Sequence, residues 1–406
     1  ARDLDEMVGS QPYESPSLLA RLMIGTVAAI LVVGVGRSSF VTALSARDPA
    51  AALRLDSDAS TALAASAYDE ISPSPSAAGA DRAIAQTRRA LAINPMSATA
   101  ATNLGLALEI KGDRAAAAKL IDYSEALSRR NLITQLWLIE YWVSQGDVPR
   151  TLKHYDIAMR TSSAALGLLF PVLVSATNDP AIIRPLARIL AGGPDWGTQF
   201  VQQLVQSGDN LPNIATLLVD LARLGRPATG RALATMIDRL VADGSYDVAA
   251  QLYSVYRSAS SLLGLRNGDF AQSPEDPTAF DWNFPETDGL SADIRERALY
   301  LDAAPATGGV AARQLVKLSA GDRLFRATVT GFEGVGTNRP YMVLKCAGSG
   351  TELGRQALGS GETPSTLNWS VTIPSSCAMQ SLEIVLQPVD AVGGAAGHID
   401  RLMLVR

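Results

Sequence analysis

Histidine and cysteine are scarce in this sequence, and charged residues are fewer than in most soluble proteins. The 406 residues include two His and two Cys, too few for a zinc site of the usual Cys/His kind or for a disulfide-dense scaffold. Charged residues make up 18% of the chain, and the net charge is -5. Nucleic-acid-binding domains carry a basic field that attracts phosphates, so we expect no nucleic-acid partner.

Motifs that mark common enzyme classes are also missing. The sequence has no Gly-rich phosphate loop with its Lys, no HExxH, and no GxSxG in a strand-turn-helix setting. The adjacent carboxylates of Glu275 and Asp276 precede Pro277 in a predicted exposed turn, whereas an acid/base pair would face across a cleft. We therefore predict a binding protein that is not an enzyme and has no catalytic cofactor.

Apolar residues are plentiful, at 47% of the chain, and the length predicts two or three domains. Residues 18–44 are interrupted by charge only at Arg21 and Arg37. This stretch exceeds the roughly 20 residues that a membrane helix requires, and we predict one transmembrane helix here. A signal peptide and a buried helix of a soluble domain are the alternatives; residues 43–46 (ALSA) resemble a cleavage site weakly.

The orientation of this helix rests on two opposing signals. Arg2 and Arg21 lie before the charge-free run of residues 22–36, and Arg37, Arg47 and Arg54 lie after it, so the positive-inside rule slightly favours a cytoplasmic position for the bulk of the chain. Two cysteines in a β-rich region instead favour an oxidising compartment. We predict a single-pass protein of the bacterial inner membrane, with residues 1–17 in the cytoplasm and residues 45–406 in the periplasm.

A helical repeat follows the apolar stretch. The pairs Gly112-Asp113 and Gly146-Asp147 lie 34 residues apart in an Ala-rich region of helical period, and this spacing resembles that of the tetratricopeptide-repeat family over about residues 60–164. The resemblance implies a helical solenoid, which we extend to residues 45–264. Solenoids present a concave face that holds peptides or helices of other proteins, and Asn103 and Gln135 are predicted to be exposed docking residues. A spacer that holds the next domain away from the membrane is the alternative.

After residue 265 the apolar period changes from helical to alternating. The order of short motifs here resembles the galactose-binding-like jelly rolls, particularly the carbohydrate-binding modules of the family 4/9 type. The motifs are Asn267-Gly268-Asp269-Phe270, Asp281-Trp282 and Ile399-Asp400-Arg401-Leu402. The resemblance implies a β-sandwich over residues 265–406. The predicted fold class is therefore α+β multidomain: one transmembrane helix, a tetratricopeptide-like solenoid and a C-terminal jelly roll.

The same resemblance implies two stabilising features. Asp269 and Asp400 are the expected ligands of a structural calcium ion, although Ala271 stands where an acidic residue is common. A carboxylate that hydrogen-bonds the adjacent turn is the alternative. Related modules often bridge the equivalents of Cys346 and Cys377 by a disulfide, which would require export; two buried thiols are the alternative.

Sugar binding by such a module needs exposed aromatic rings that stack on a pyranose. Trp369 and Tyr341 are the candidates. Two functions remain open from the sequence. The first is a membrane-anchored periplasmic scaffold that docks proteins of an envelope complex. The alternative is a polysaccharide-binding protein that assists exopolysaccharide synthesis or export.

Overall fold

The computed structural model describes residues 18–257, 264–273, 275–333 and 335–405. Within them the chain forms fourteen helices followed by nine strands. The helices are α1 (Leu18–Ser45), α2 (Pro49–Leu55), α3 (Ser60–Ile71), α4 (Ala77–Ile93), α5 (Ala98–Ile110), α6 (Arg114–Leu127), α7 (Leu132–Ser144), α8 (Val148–Thr161), α9 (Ser163–Ala176), α10 (Pro180–Ala191), α11 (Gly197–Ser207), α12 (Leu211–Arg223), α13 (Gly230–Ala242) and α14 (Tyr246–Arg257).

The Gly-Asp pairs mark the ends and beginnings of helices. Gly112 and Gly146 adopt positive φ angles of 85° and 68°, which glycine adopts without steric cost just beyond a helix end. The next residue then caps the following helix: Asp113 Oδ1 accepts from the Ala116 N–H at 3.0 Å, and Asp147 Oδ1 accepts from the Arg150 N–H at 2.9 Å. The repeated dipeptide therefore produces helix–turn–helix units, consistent with a helical repeat.

The chain divides into two compact units, residues 18–146 and residues 147–405 of the described part. In the first unit, α3, α4, α5 and α6 pack closely through small residues such as Ala83 and Ala107, which are fully buried. Gly105 on α5 lies against Ile121 on α6, where a Cβ would approach the Ile side chain to 3.0 Å. Small side chains thus allow neighbouring helices to approach closely.

Helix α1 has the length and composition of a membrane span. Its 28 residues form an unbroken helix, and the segment Thr26–Ser45 alone is apolar enough to cross a membrane. The side chains of Val27, Leu31, Val35 and Phe40 are each more than half exposed. Apolar side chains that the protein itself leaves uncovered are typical of a helix in lipid, and a signal sequence has the same pattern.

The second unit contains α8 to α14 and all nine strands. Helices α8, α10, α12 and α14 pack side by side, while α9, α11 and α13 form a second row. The strands are β1 (Leu290–Arg295), β2 (Ala298–Ala303), β3 (Gly309–Val316), β4 (Gly321–Gly331), β5 (Tyr341–Cys346), β6 (Glu352–Ala357), β7 (Gly361–Ile373), β8 (Gln380–Leu386) and β9 (Ala395–Val405).

The strands form an antiparallel β-sandwich. One sheet has the order β1-β2-β9-β4-β7, and the other has the order β3-β8-β5-β6. Their inner faces share one core, to which Leu299 and Phe325 of the first sheet and Leu344 and Ile384 of the second contribute fully buried side chains. The α+β fold class is therefore shown, with helices first and the sandwich last.

Helix α14 joins the helices of the second unit to the sandwich. The buried Tyr253 donates its hydroxyl to Asp281 Oδ1 at 2.6 Å. Its ring packs on Phe280 at 5.2 Å between centroids, and the Arg266 guanidinium lies 4.5 Å from its centroid. At the helix start, Asp247 pairs with Lys317 at 2.8 Å. The loops that lead into the sandwich are thus held by one face of this helix.

Candidate ligand-binding face

The outer face of the five-stranded sheet carries a row of polar side chains. On β2, Leu299 and Leu301 are buried in the core, so Tyr300 between them projects from the opposite face. The register places Tyr300 opposite Asp293 of β1 and opposite His398 of β9. Four strands thereby contribute to one row, since His398 also lies opposite Thr330 of β4.

The Tyr300 ring is held by both neighbouring strands. The Arg295 guanidinium from β1 lies 4.1 Å from its centroid, and the His398 ring from β9 stacks on it at 4.9 Å with a 29° interplanar angle. The Tyr300 hydroxyl donates to Glu296 Oε2 at 3.3 Å. Partial burial raises the pKa of Tyr300, and the Glu296 carboxylate raises it further. The hydroxyl therefore stays protonated at neutral pH.

A second set of contacts extends this row towards β4. His398 Nε2 lies 3.2 Å from Asp400 Oδ1, and the Thr330 hydroxyl donates to Asp400 Oδ2 at 3.2 Å. Arg295, Tyr300, His398, Asp400 and Thr330 thus form one continuous chain of contacts across the sheet. Side chains fixed in this way lose little freedom when a ligand binds.

A groove of about 340 Å³ lies beside this row. Its wall has two carboxylates, Asp293 and Asp302, whose side chains are exposed and accept hydrogen bonds. Gly331 lies at its edge, where a Cβ would come within 2.6 Å of the Gly397 Cα, so only a residue without a side chain fits there. The groove is lined by Ser291, Asp293, Arg295, Tyr300, Leu301, Asp302, Gly331, Ala396, Gly397 and His398.

These groups suit a ligand rich in hydroxyl groups. Carboxylates accept hydrogen bonds, and the guanidinium and imidazole groups donate them. The two groove carboxylates outnumber the single guanidinium of Arg295, and that guanidinium is occupied with the Tyr300 ring. The charge balance therefore favours a neutral ligand over an anionic one.

The prediction that Trp369 stacks on a sugar is wrong. Trp369 is only 5% exposed, and its ring packs on Phe325 inside the sandwich at 5.2 Å between centroids. Tyr341 lies on β5 in the other sheet, and the Arg355 guanidinium covers its ring at 4.7 Å. The structure therefore brings neither ring to the groove, and the sequence reasoning missed Tyr300 and His398.

The two predicted calcium ligands have separate protein partners. Asp269 Oδ2 pairs with Arg297 Nη2 at 3.3 Å, whereas Asp400 binds His398 and Thr330. In the part of the chain that the structure describes, His, Cys, Asp and Glu form no group of three that could hold a metal ion. A guanidinium on Asp269 and an imidazole on Asp400 occupy carboxylate oxygens that a calcium ion would need, because its shell is built from oxygen ligands.

Cys346 and Cys377 are bonded to each other. Their Cα atoms are 5.6 Å apart, and the bridge closes a separation of 31 residues. It links the end of β5 to the segment before β8, while Gln380 Nε2 donates to the Cys377 carbonyl at 2.8 Å. The bridge therefore stabilises one end of the central strand pair, β5 and β8, of the four-stranded sheet, which is not the sheet that carries the groove.

Asn103 and Gln135 are not exposed docking residues. Asn103 is 1% exposed and donates its amide to the Ala64 carbonyl at 2.8 Å, and Gln135 is fully buried. Both predictions are wrong, because Asn103 faces α3 and Gln135 is enclosed within the first unit, where it donates to the Arg129 carbonyl at 3.4 Å.

The first unit does contain a groove, of about 680 Å³. Its exposed polar lining comes from Arg47, Asp69, Thr99 and Arg130. Asn103 reaches the same groove, although almost none of its surface is exposed. The sequence signal that was missed is the position of these four residues at helix ends and turns, where side chains escape packing.

Comparison with known proteins gives solved structures that are similar to the C-terminal sandwich. No protein-family model and no curated protein matches the sequence. A solved structure described as "CBM4 structure and function" is 14% identical, with a TM-score of 0.28, and the match covers 34% of this chain and 97% of that chain. The "EclA C-terminal domain; sugar-binding protein" is 19% identical, with a TM-score of 0.21, over 28% of this chain and 80% of that chain.

A third similar structure is TmCBM61 in complex with β-1,4-galactotriose. It is 15% identical, has a TM-score of 0.23, and the match covers 35% of this chain and 94% of that chain. At TM-scores below 0.5, these similarities carry no inference about the ligand of this chain.

Proposed function

We propose that this chain is a membrane-anchored binding protein of the bacterial envelope whose sandwich holds a neutral polysaccharide. The groove beside Tyr300 and His398 carries the proposal. It combines fixed aromatic rings, two exposed carboxylates and a volume of about 340 Å³, which is near the lower end for a small-ligand site. An open groove on a sheet face can hold one or two sugar units of a longer chain.

The proposed location is the inner membrane, with the sandwich in the periplasm. The uncovered apolar side chains of α1 support an anchor. The disulfide between Cys346 and Cys377 supports an oxidising compartment, because cytosolic thiols are kept reduced. An anchored sandwich in that location would meet polysaccharides during their synthesis or export.

Affinity electrophoresis of the full chain in mild detergent tests the proposal. The protein should migrate more slowly through native gels that contain neutral glucans or galactans, and gels with polyuronates should not retard it. Changing Asp302→Ala should weaken retardation roughly ten- to hundred-fold, because a hydrogen bond to a charged group contributes about 1.5–3 kcal/mol.

Asp322→Ala is the matched control. Asp322 is exposed on β4 of the same sheet, where its carboxylate accepts from the Thr372 hydroxyl at 2.6 Å, and it does not line the groove. Its removal should leave retardation unchanged. Equal losses in both variants, or no retardation of the unaltered protein by any neutral polysaccharide, would contradict the proposal.

A scaffold role for the first unit is the second candidate. The groove that Arg47 and Arg130 line offers room for an extended segment of another protein. Arg130→Glu should release such a partner in pull-downs from detergent extracts, while Asp302→Ala should retain it. The reverse pattern would favour the sandwich as the only binding region.

A further inference from the structure

The other helices of the first unit begin to pack on α1 where the uncovered part of α1 ends. Phe40 is 61% exposed, whereas Val41 is 4% exposed and packs with Ala52 and Ala62. The 19 residues from 18 to 36 rise about 28 Å as a helix, close to the roughly 30 Å of a bilayer's hydrocarbon core. If α1 spans the membrane, Arg37 lies at the headgroups, and apolar packing against the rest of the unit begins one turn later, at Val41.

A hydrogen bond holds the end of α2 beside Arg37, at the level proposed for the headgroups. Arg37 Nη2 donates to the Leu55 carbonyl at 2.7 Å. Side chains of a helix tilt towards its N-terminus, which here is the apolar segment. Leu55 therefore lies beside the end of that segment, and its side chain is 48% exposed.

Helix α4 ends on the same side of the unit. It runs antiparallel to α3, because Arg82 pairs with Glu70 at 2.6 Å and Arg89 pairs with Asp58. Near its C-terminus, the Ala90 carbonyl accepts from the Ser60 hydroxyl at 3.1 Å. The end of α4 and the turn after it are thereby placed next to the α2–α3 connection.

Large apolar side chains protrude at this end. Ile93 is 46% exposed and Met96 is 71% exposed, and together with Leu55 they share the end at which α1 leaves the unit. Arg54, which precedes Leu55, is exposed. The nearest carboxylate after it, that of Asp56, accepts a hydrogen bond from the Asp58 N–H at 3.0 Å. Apolar side chains with an arginine beside them are typical of a surface that enters lipid headgroups.

We propose that Arg54, Leu55, Ile93 and Met96 form a juxtamembrane surface that rests on anionic phospholipid headgroups and fixes the first unit on the bilayer. This inference depends on the anchoring role proposed above for α1. The bilayer is the occupant because the anchor leaves the unit at this end and Arg37 ties Leu55 to it. The surface holds the groove of the first unit at a set height above the membrane.

Spin labels on the full chain in phosphatidylcholine–phosphatidylglycerol vesicles test this surface. Both native cysteines are bonded to each other, so a nitroxide reacts only with an introduced cysteine. A label at Met96→Cys should collide with lipid-dissolved oxygen more often than with a water-soluble nickel complex. A label at Val143→Cys should show the opposite, because Val143 is 60% exposed at the end of α7.

A third label, at Leu31→Cys, separates the two proposals. If the nickel complex reaches a label at Leu31 as readily as one at Val143, α1 does not span the bilayer. The proposed anchor and the proposed juxtamembrane surface then both fail. If Leu31 is shielded but Met96 is as accessible to nickel as Val143, the anchor stands and the juxtamembrane surface is refuted.

Charge reversal tests the part played by anionic lipid. Arg54→Glu should move the Met96 label towards water several-fold in nickel accessibility, and raising the phosphatidylglycerol fraction should increase this shift. Lys119→Glu on α6, exposed and outside the surface, should leave the label unchanged. If Arg54→Glu and Lys119→Glu change the nickel accessibility of the Met96 label equally, or if neither changes it, Arg54 does not lie at the headgroups.

Discussion

The contact between Tyr253 and Asp281 should control how firmly α14 holds the sandwich. Tyr253→Phe removes the hydroxyl that donates to Asp281 Oδ1 at 2.6 Å and keeps the ring that packs on Phe280 and Arg266. Asp281 Oδ2 retains the N–H and the hydroxyl of Thr278. The loss is therefore one hydrogen bond to a charged group, in a side chain that water reaches in part.

Such a bond contributes about 1.5–3 kcal/mol, and partial rehydration of Asp281 places the expected cost near 1.5–2 kcal/mol. Amide hydrogen exchange of the full chain in detergent measures this cost at α14, because the exchange rate of an amide reports the free energy of local unfolding around it. Protection across residues 246–257 should fall about ten- to thirty-fold. Residues 98–110 of the first unit should be unaffected.

Ser254→Ala is the control on the same helix. Its hydroxyl donates to the Gln251 carbonyl at 2.7 Å, within α14 itself, and makes no link to the sandwich loops in the part of the chain that the structure describes. In Ser254→Ala, amide protection across residues 246–257 should remain near that of the unaltered protein. Unchanged exchange in Tyr253→Phe, or equal acceleration in both variants, would refute the idea that this hydroxyl secures α14.

Three further outcomes test the fold and its location. Replacing Cys346 and Cys377 by Ser should lower the urea midpoint of the second unit, because the bridge closes 31 residues and its loss costs about 4 kcal/mol in loop entropy; an unchanged midpoint would contradict this. Gly105→Val should lower the melting temperature by circular dichroism, since its Cβ would lie 3.0 Å from the Ile121 side chain, whereas Gly167→Val meets nothing within 4 Å; equal melting would exclude close helix packing at Gly105. Alkaline phosphatase fused after residue 60 should be active in a Gram-negative host, since that enzyme needs periplasmic disulfides; an inactive fusion would invert the topology.

Helices and most strands follow from the sequence because their signals are local. Glycine ends α5 and α7, and aspartate begins the helices that follow. Strand β6 has no such local signal, because Glu352–Ala357 carries little apolar content and lies between glycine-rich loops. Pairing with β5, whose consecutive residues Met342, Val343 and Leu344 are all buried, supplies the stability that the residues of β6 lack.

The local sequence pattern predicts only some of the side chains that reach the groove. The alternation of Leu367, Trp369, Val371 and Ile373 predicts that Trp369 shares the buried face, and this signal was overlooked in favour of its aromatic chemistry. The same alternation places Tyr300 outward. That His398 lies next to Tyr300 depends on a strand pairing across nearly one hundred residues, which local patterns cannot specify.

The position of β9 sets the order in which the groove can be assembled. β9 is the last of the described strands in the chain, yet it lies between β2 and β4 in the sheet. Because distant pairings form late and slowly, β2 and β4 must wait for β9 before Tyr300 meets His398. A chain whose residues 395–405 have not yet been synthesised therefore has no groove, because Ala396, Gly397 and His398 of β9 form part of its lining. The groove is thus a late product of folding, and no fragment that ends before β9 can carry it.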